Sequence, residues 1–238
     1  MNYDVEKINF KSYNMLMMLS MVYLCIMFIN AILTNRYVGI DNCFILGGTL
    51  TSPLVFILDN IIAEIYGYKI ARNLILCGYA MLSIFSLICN LVIHLPFPSF
   101  FKTNEVYSQL LGNNLLRIVY SGFIAYVIAN VLNVYILVRW KILLRGKYFW
   151  LRSLGSSAFS AAIYSIIAII LMEINAIEIN NILKIILMSY SIKVISIVIL
   201  AYPSSILVFF IKKITKMDIY GLPQRFIPEN YLKGQENY

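Results

Sequence analysis

Six apolar segments, each long enough to cross a lipid bilayer, account for most of this chain of 238 residues. A hydrocarbon core of ~30 Å needs about 20 helical residues at ~1.5 Å per residue. We place the segments near residues 14–33, 42–63, 71–93, 115–138, 155–174 and 183–211. The pattern predicts an all-α, polytopic membrane protein with six transmembrane helices. The chain then divides into an N-terminal segment over 1–13, a transmembrane domain over 14–216 and a C-terminal tail over 217–238.

The composition supports a membrane protein. Hydrophobic residues make up 61% of the chain and charged residues 13%, and the mean hydropathy is +0.81. A soluble domain is about half apolar and about a quarter charged. The chain therefore has no room for a sizeable soluble domain beside its apolar segments.

The net charge of +8 follows the membrane and does not indicate nucleic-acid binding. Fourteen basic residues fall on one side of the predicted bilayer and three on the other. The fourteen are Lys7, Lys11, Lys69, Arg72, Arg139, Lys141, Arg145, Lys147, Arg152, Lys212, Lys213, Lys216, Arg225 and Lys233; the three are Arg36, Lys102 and Lys184. Basic residues concentrate on the cytoplasmic side of membrane proteins. We therefore expect both termini and the loop 139–152 in the cytoplasm.

The second segment is the least regular of the six. Gly47 and Gly48 permit a bend near its start, and Pro53 removes a helix donor. These residues predict either a broken or re-entrant helix, or a simple kink.

Signals for catalysis are missing from the sequence. His94 is the single histidine, so a metal site built from several histidine, cysteine and carboxylate ligands is not expected. We find no nucleophile turn of the G-x-S-x-G type and no phosphate loop of the G-x-x-x-x-G-K-[ST] type. We expect no enzymatic activity, no metal and no cofactor.

Asp59 and Glu64 interrupt an otherwise apolar run, and a carboxylate at the bilayer core is costly. Each has two readings. The carboxylates could form a charge pair between helices or mark an ordinary cytoplasmic helix end. Alternatively, they belong to a substrate or coupling site.

Further polar groups lie inside the fourth and sixth segments. Gly122, Tyr126, Asn130 and Asn133 share one helical face, and Lys193 lies too deep to reach the interface easily. The asparagines could simply join helices through hydrogen bonds, and Lys193 could form a structural ion pair. Inward-facing polar groups in a compact bundle are also typical of a solute pocket.

Several of these residues together resemble a known family. The central cassette reads Asp59-Asn60-x3-Glu64-x-Tyr66-Gly67-x3-Ala71-Arg72. It resembles the signature of the queuosine-precursor transporter family, also called the VUT or vitamin-uptake family. Lys193-Val194-Ile195-Ser196 is similar to an element of the family's last span, and Arg117 occupies a position where the family carries an arginine.

The resemblance implies both an architecture and an activity. Family members are six-helix proteins of the bacterial inner membrane that resemble the substrate-binding components of energy-coupling-factor vitamin transporters. They import preQ0 or preQ1, the 7-deazaguanine precursors of the tRNA nucleoside queuosine. The implied partners are a 7-deazaguanine-like solute, the lipid bilayer and, as a candidate, an ATPase coupling module; no nucleic acid is implied.

The resemblance also implies site residues. The positions implied in substrate binding or transport are Asp59, Glu64, Tyr66, Gly67, Arg72, Arg117 and Lys193. Candidate pocket-lining residues are Tyr126, Asn130, Asn133 and Tyr164.

This chain departs from the family pattern at three positions. Asn133 stands where the family usually has an acidic residue, and Ala161 and Tyr164 stand where it tends to have Gln and Asp. If those side chains hydrogen-bond to the edge of the guanine, this protein binds that edge differently or binds another solute. Two alternatives stay open: a vitamin-type binding subunit that works with a separate ATPase module, and a membrane scaffold subunit without a solute.

Overall fold

The computed structural model describes residues 10–40, 43–98, 101–173 and 179–219. Seven helices and one hairpin follow in the order α1 Phe10–Thr34, β1 Tyr37–Ile40, β2 Cys43–Leu46, α2 Gly48–Tyr66, α3 Tyr68–Ile93, α4 Asn104–Leu111, α5 Asn113–Leu143, α6 Phe149–Glu173 and α7 Ile179–Thr215. Residues 1–9 and 220–238 lie outside the described residues. They include most of the predicted N-terminal segment and C-terminal tail.

The prediction of six transmembrane helices is confirmed. Six helical spans in the described part of the chain are long and apolar enough to cross a membrane, with α4 and α5 forming one of them. The outer faces of these spans carry large exposed apolar side chains, among them Met21 on α1, Ile88 and Leu91 on α3, and Ile199 and Phe209 on α7. Such faces are suited to lipid. The chain is a multi-pass membrane protein.

The second segment differs from the expectation of a broken or re-entrant helix. Its first residues form the strand β2, which pairs antiparallel with β1. The helix then runs without a break from Gly48 to Tyr66. Pro53 lies inside it and has no backbone N–H for the Thr49 carbonyl, but the Ser52 hydroxyl donates to that carbonyl at 3.3 Å. The bond offsets part of the loss.

The bundle has two ends, which we name from what lies there. The terminal end holds the start of α1, the turn at Gly67, residues 144–148 and the end of α7. The hairpin end holds β1, β2, α4 and the start of α7. The expected loop 139–152 is wrong in extent, because α5 continues to Leu143 and α6 begins at Phe149. The helical parts of that stretch place Lys141 and Arg152 inside the protein.

α2 is the central helix of the bundle. It contacts α1, α3, α5, α6 and α7. In its most apolar stretch of 18 residues, 78% of the residues are buried inside the protein, whereas the buried share of the corresponding stretch ranges from 22% to 56% in the other spans. A helix surrounded by protein need not dissolve in lipid, which explains why the least apolar of the six spans lies in the middle.

Candidate functional site

Asp59 lies on the buried face of α2 and is fully buried. Its Oδ2 accepts hydrogen bonds from the Tyr126 hydroxyl at 2.7 Å and from the Asn130 amide. The Tyr23 hydroxyl lies 3.0 Å from that of Tyr126. Asp59 Oδ1 has no hydrogen-bond partner, and no ion pair found among the described residues includes Asp59. The bundle therefore encloses a carboxyl group that hydroxyl and amide groups surround.

Asn60, the next residue of α2, joins three helices. Its amide donates to the hydroxyls of Ser153 and Ser157 on α6, at 2.8 and 2.7 Å. Its carbonyl accepts a hydrogen bond from Asn133 of α5 at 2.8 Å. The predicted polar face of the fourth span therefore points inward, and Asn133 has the helix-joining contacts that one reading gave it.

An aromatic cluster, formed by Phe56, Tyr79, Tyr126 and Tyr164, lies on the hairpin side of Asp59. The Tyr126 ring centroid is 4.8 Å from that of Tyr79, 5.9 Å from Phe56 and 6.0 Å from Tyr164. Tyr164, which the sequence comparison marked as a departure, thus belongs to the centre of the bundle.

Lys193 contacts this cluster from α7. Its ammonium nitrogen lies 4.6 Å from the Tyr164 ring centroid and donates to the Ser165 hydroxyl at 2.9 Å. The ion pairs of the described residues do not include Lys193, so the structural ion pair, one of its two interpretations, is not found there. A cation over a tyrosine face is stabilised by the ring quadrupole, by about 2 kcal/mol when water is excluded.

Two small cavities adjoin Tyr164. One of about 20 Å³ is lined by residues that include Gly48, Thr49 and Lys193, and one of about 10 Å³ by residues that include Gly122 and Tyr79. Each has room for roughly one water molecule, whereas ligand pockets usually measure about 300 Å³ or more. Neither cavity could hold a heterocyclic solute unless the helices that line it move apart, and we call this arrangement of the bundle the closed conformation.

Glu64 lies at the terminal end of α2 in a buried network that we call the ion cluster. Arg152 donates to both of its carboxylate oxygens, at 2.9 and 3.1 Å. Lys212 donates to Oε1 at 2.8 Å, and the Lys141 ammonium lies 3.7 Å from it. Asp218 completes the cluster through Lys141 and Lys212. The cluster joins α2, α5, α6 and α7 with the residues that follow α7.

Sequence reasoning missed the cationic half of this cluster. Lys141, Arg152 and Lys212 were all counted as basic residues of the cytoplasmic side, yet Lys141 and Arg152 are at most 1% exposed. A signal was available, because Glu64 is a costly buried anion near the end of α2 and needs a cation at the same end of the bundle. The reading of Glu64 as part of a charge pair between helices matches this geometry.

Three more predicted residues lie near the terminal end. The Tyr66 hydroxyl donates to the Ser12 carbonyl at 3.0 Å and so joins α2 to α1. Gly67 has φ +84° and forms the turn between α2 and α3. Arg72 is half-buried in the first turns of α3, with its guanidinium 5.7 Å from the Tyr68 ring centroid.

Arg117 lies far from the other predicted residues along the bundle, near the start of α5 at the hairpin end. Tyr37 of the hairpin donates to Glu173 at 2.9 Å. Burial and this bond to the Glu173 carboxylate raise the pKa of Tyr37, while the positive charge of Arg117 lowers it. The seven residues implied by the resemblance are thus spread over the centre and both ends of the bundle.

Comparison with known proteins adds the family. The family model described as "Putative vitamin uptake transporter" matches residues 46–208, which is more than half of the chain. No curated protein and no solved structure matches the chain. No group of three or more His, Cys, Asp or Glu residues in the described ranges could hold a metal ion. The matched range contains the whole of α2 to α6 and the part of α7 that carries Lys193, so the chain belongs to the vitamin uptake transporter (VUT) family.

Proposed function

We propose that this membrane transporter imports queuosine precursors, preQ0 or preQ1, across the bacterial inner membrane. The proposal rests on the resemblance of the cassette around Asp59. The observation that carries it is the aromatic cluster with Lys193 at its side, because that combination suits a flat, hydrogen-bonding heterocycle. Tyr126 and Tyr164 offer rings for stacking on a 7-deazaguanine, and the Lys193 ammonium offers a donor for its ring carbonyl.

The proposed orientation places the terminal end in the cytoplasm. The described basic residues of the larger set, among them Lys69, Arg145, Lys147 and Lys213, lie in the elements that make up that end. Single-cysteine variants at Lys147 and Lys102 test this orientation in intact cells. A membrane-impermeant thiol reagent should label the variant at Lys102 and spare the one at Lys147; external labelling of both positions contradicts the orientation.

An alternating-access transporter passes through a state in which its centre and both of its ends are closed. The ion cluster holds four helices together at the terminal end. At the other end the bond between Tyr37 and Glu173 ties the hairpin to α6. We infer that solute enters when the hairpin end opens and leaves when the ion cluster separates.

A vitamin is the second candidate solute, and the family description favours it. In this alternative the chain is a substrate-binding subunit that works with a separate ATPase module. Affinity purification of the tagged protein from its native membrane tests the ATPase half of this alternative, since a stable ATPase partner would copurify with the chain.

Uptake complementation tests the proposed function directly. Cells that cannot make preQ0 but retain the later steps should form queuosine in tRNA when they express this protein and receive preQ0. Lys193→Ala should lose most of that queuosine at an unchanged amount of protein in the membrane. Lys184→Ala, an exposed lysine of the same helix, is the matched control and should match the wild type. No queuosine with well-expressed wild-type protein would refute the proposed solute.

A further inference from the structure

We propose that Asp59 holds a proton in this closed conformation and that this proton moves with the solute in the same direction. The inference rests on the proposed transport function for its second half, the coupling. The first half, a neutral Asp59, rests on the contacts of the side chain alone.

Asp59 has no paired cation among the described residues. The ion pairs of the described residues join Glu64 or Asp218 to lysines and an arginine at the terminal end. Lys193 is the cation of α7 nearest the aromatic cluster, but its contacts are the Tyr164 ring and Ser165. An ionised carboxylate that is fully buried without a paired cation is very costly, and a proton removes that cost.

Asp59 Oδ1 and Asn130 Oδ1 are both buried without a hydrogen-bond partner. If Asp59 is ionised, both oxygens are hydrogen-bond acceptors only, so neither can bond to the other. A proton on Asp59 Oδ1 supplies a donor for Asn130 Oδ1, while Asn130 Nδ2 already donates to Asp59 Oδ2. Carboxylic acid and amide are both planar forks, so two such bonds can close a ring.

The groups that face the centre from the helices packed on α2 are Tyr23 of α1, Tyr79 of α3, Tyr126 and Asn130 of α5, Tyr164 of α6 and Lys193 of α7. Tyrosine hydroxyls are uncharged at neutral pH. On α2 itself the other charged group is Glu64, whose carboxylate oxygens bind the cations of the ion cluster. The surroundings therefore favour a neutral carboxyl group.

Coupling follows from the cost of releasing this proton. Release leaves an Asp59 carboxylate and a free proton, and in the closed bundle no described cation neutralises the carboxylate. Release becomes favourable once helices separate and water reaches the centre. Proton binding and release are thereby linked to the same opening and closing that admit the solute.

Infrared spectroscopy of the purified protein tests the protonation. The carbonyl stretch of a protonated carboxylic acid, with its shift in D2O, should be present in the wild type and absent from Asp59→Asn. Glu64→Gln removes the other buried carboxylate of α2 and should retain the band, because Glu64 lies among cations. Labelling the aspartates of the wild type with 13C should shift the band, which covers the case of an Asp59→Asn variant that does not fold. A wild type without the band, or a band that labelled aspartate leaves unshifted, overturns the proposal.

Proteoliposomes test the coupling, with preQ0 as the solute and a pH-sensitive dye inside. Uptake of preQ0 by the wild type should acidify the interior, and Asp59→Asn should give no acidification. Wild-type uptake without acidification, or acidification by Asp59→Asn that matches the wild type, refutes coupling through Asp59. If the wild type takes up no preQ0 at all, the proposed solute fails, while the infrared result still decides the protonation.

Discussion

Asp59 and Glu64 are two buried carboxylates of α2, yet their surroundings are opposite in kind. Glu64 has Arg152, Lys212 and Lys141 around its oxygens. Asp59 has one hydroxyl and one amide on Oδ2 and no hydrogen-bond partner on Oδ1. Both are at most 1% exposed, so burial alone does not distinguish them.

The difference shows how position along a helix sets the role of a buried acid. Glu64 lies within one turn of the end of α2, where the basic ends of α5, α6 and α7 supply cations. Asp59 lies about 7.5 Å deeper, at ~1.5 Å per residue, where the neighbouring helices carry tyrosines, amides and serines. A buried carboxylate that is paired with cations holds helices together, whereas a buried carboxylate without a paired cation can gain or lose a proton.

The largest expected effect is on stability at Glu64. Glu64→Gln removes the anion that pairs with buried Arg152, and leaves Lys141 and Lys212 with Asp218 as their remaining anion in the cluster. Breaking a buried ion network by removing one partner costs about 3–5 kcal/mol. Thermal unfolding in detergent should show the loss as a large fall in Tm.

Asp59→Asn is the matched control for Glu64→Gln. The new amide can form the same two-bonded ring with Asn130 as a neutral acid, so its Tm should stay close to that of the wild type. Equal losses at the two positions would show that both carboxylates are ionised and structural, and would remove the contrast.

Much of the fold was accessible from sequence because it depends on simple periodicities. The six spans follow from apolar length, and the inward direction of Tyr126, Asn130 and Asn133 follows from their spacing on α5. The helix ends were less accessible. The sequence places Lys141 and Arg152 in a basic stretch that resembles a solvated loop, and only the packing of α5 and α6 against α2 brings them to Glu64.

The hairpin was missed for a related reason. Residues 43–46 are the apolar start of the second predicted segment, and apolar length alone does not separate a buried strand from the start of a helix. The signals lay in the β-favouring residues Val38, Ile40, Phe44 and Ile45. Pairing of β1 with β2 then leaves Gly47 as the N-cap of α2 and Gly48 as its first residue.

A smaller loss of stability is expected at Gly67, which forms the turn directly after α2, near Glu64. Its φ of +84° with ψ of 170° lies in a region that is essentially restricted to glycine, and a Cβ there would lie 3.2 Å from Ile219 Cγ2. Gly67→Leu should therefore cost about 1–3 kcal/mol and lower the amount of folded protein. Size-exclusion chromatography of the detergent extract measures that amount.

Gly122→Ala is the control for this substitution. A Cβ at Gly122 would meet its nearest atoms at 3.6 Å or more, which is ordinary contact. Equal yields of the two variants would show that the Gly67 turn does not limit folding.

Lys193→Met should change stability less and function more. The substitution removes a hydrogen bond of about 1 kcal/mol and a cation–π contact of about 2 kcal/mol, but it also removes the desolvation cost of a buried ammonium. These contributions oppose each other, so we expect a change in unfolding free energy of about 1 kcal/mol or less. The queuosine assay should nevertheless show a loss of most uptake; retained uptake would place the solute elsewhere in the bundle.

The smallest effect is expected at Asp218, on the exposed edge of the ion cluster. Burial raises the pKa of Asp218, but the hydrogen bonds and charges of Lys141 and Lys212 outweigh it and hold the pKa below its ordinary value. A lowered folded-state pKa means that the stabilisation is present above the unfolded value of about 3.9 and is lost as pH falls through the folded-state value. Asp218→Asn should therefore lower Tm slightly at neutral pH, and the difference from the wild type should shrink as pH is reduced below about 4. Glu105→Gln, at an exposed position on α4, controls for general effects of acid. A difference between wild type and Asp218→Asn that stays constant down to acid pH would show that Asp218 stabilises the cluster by packing and not by its charge.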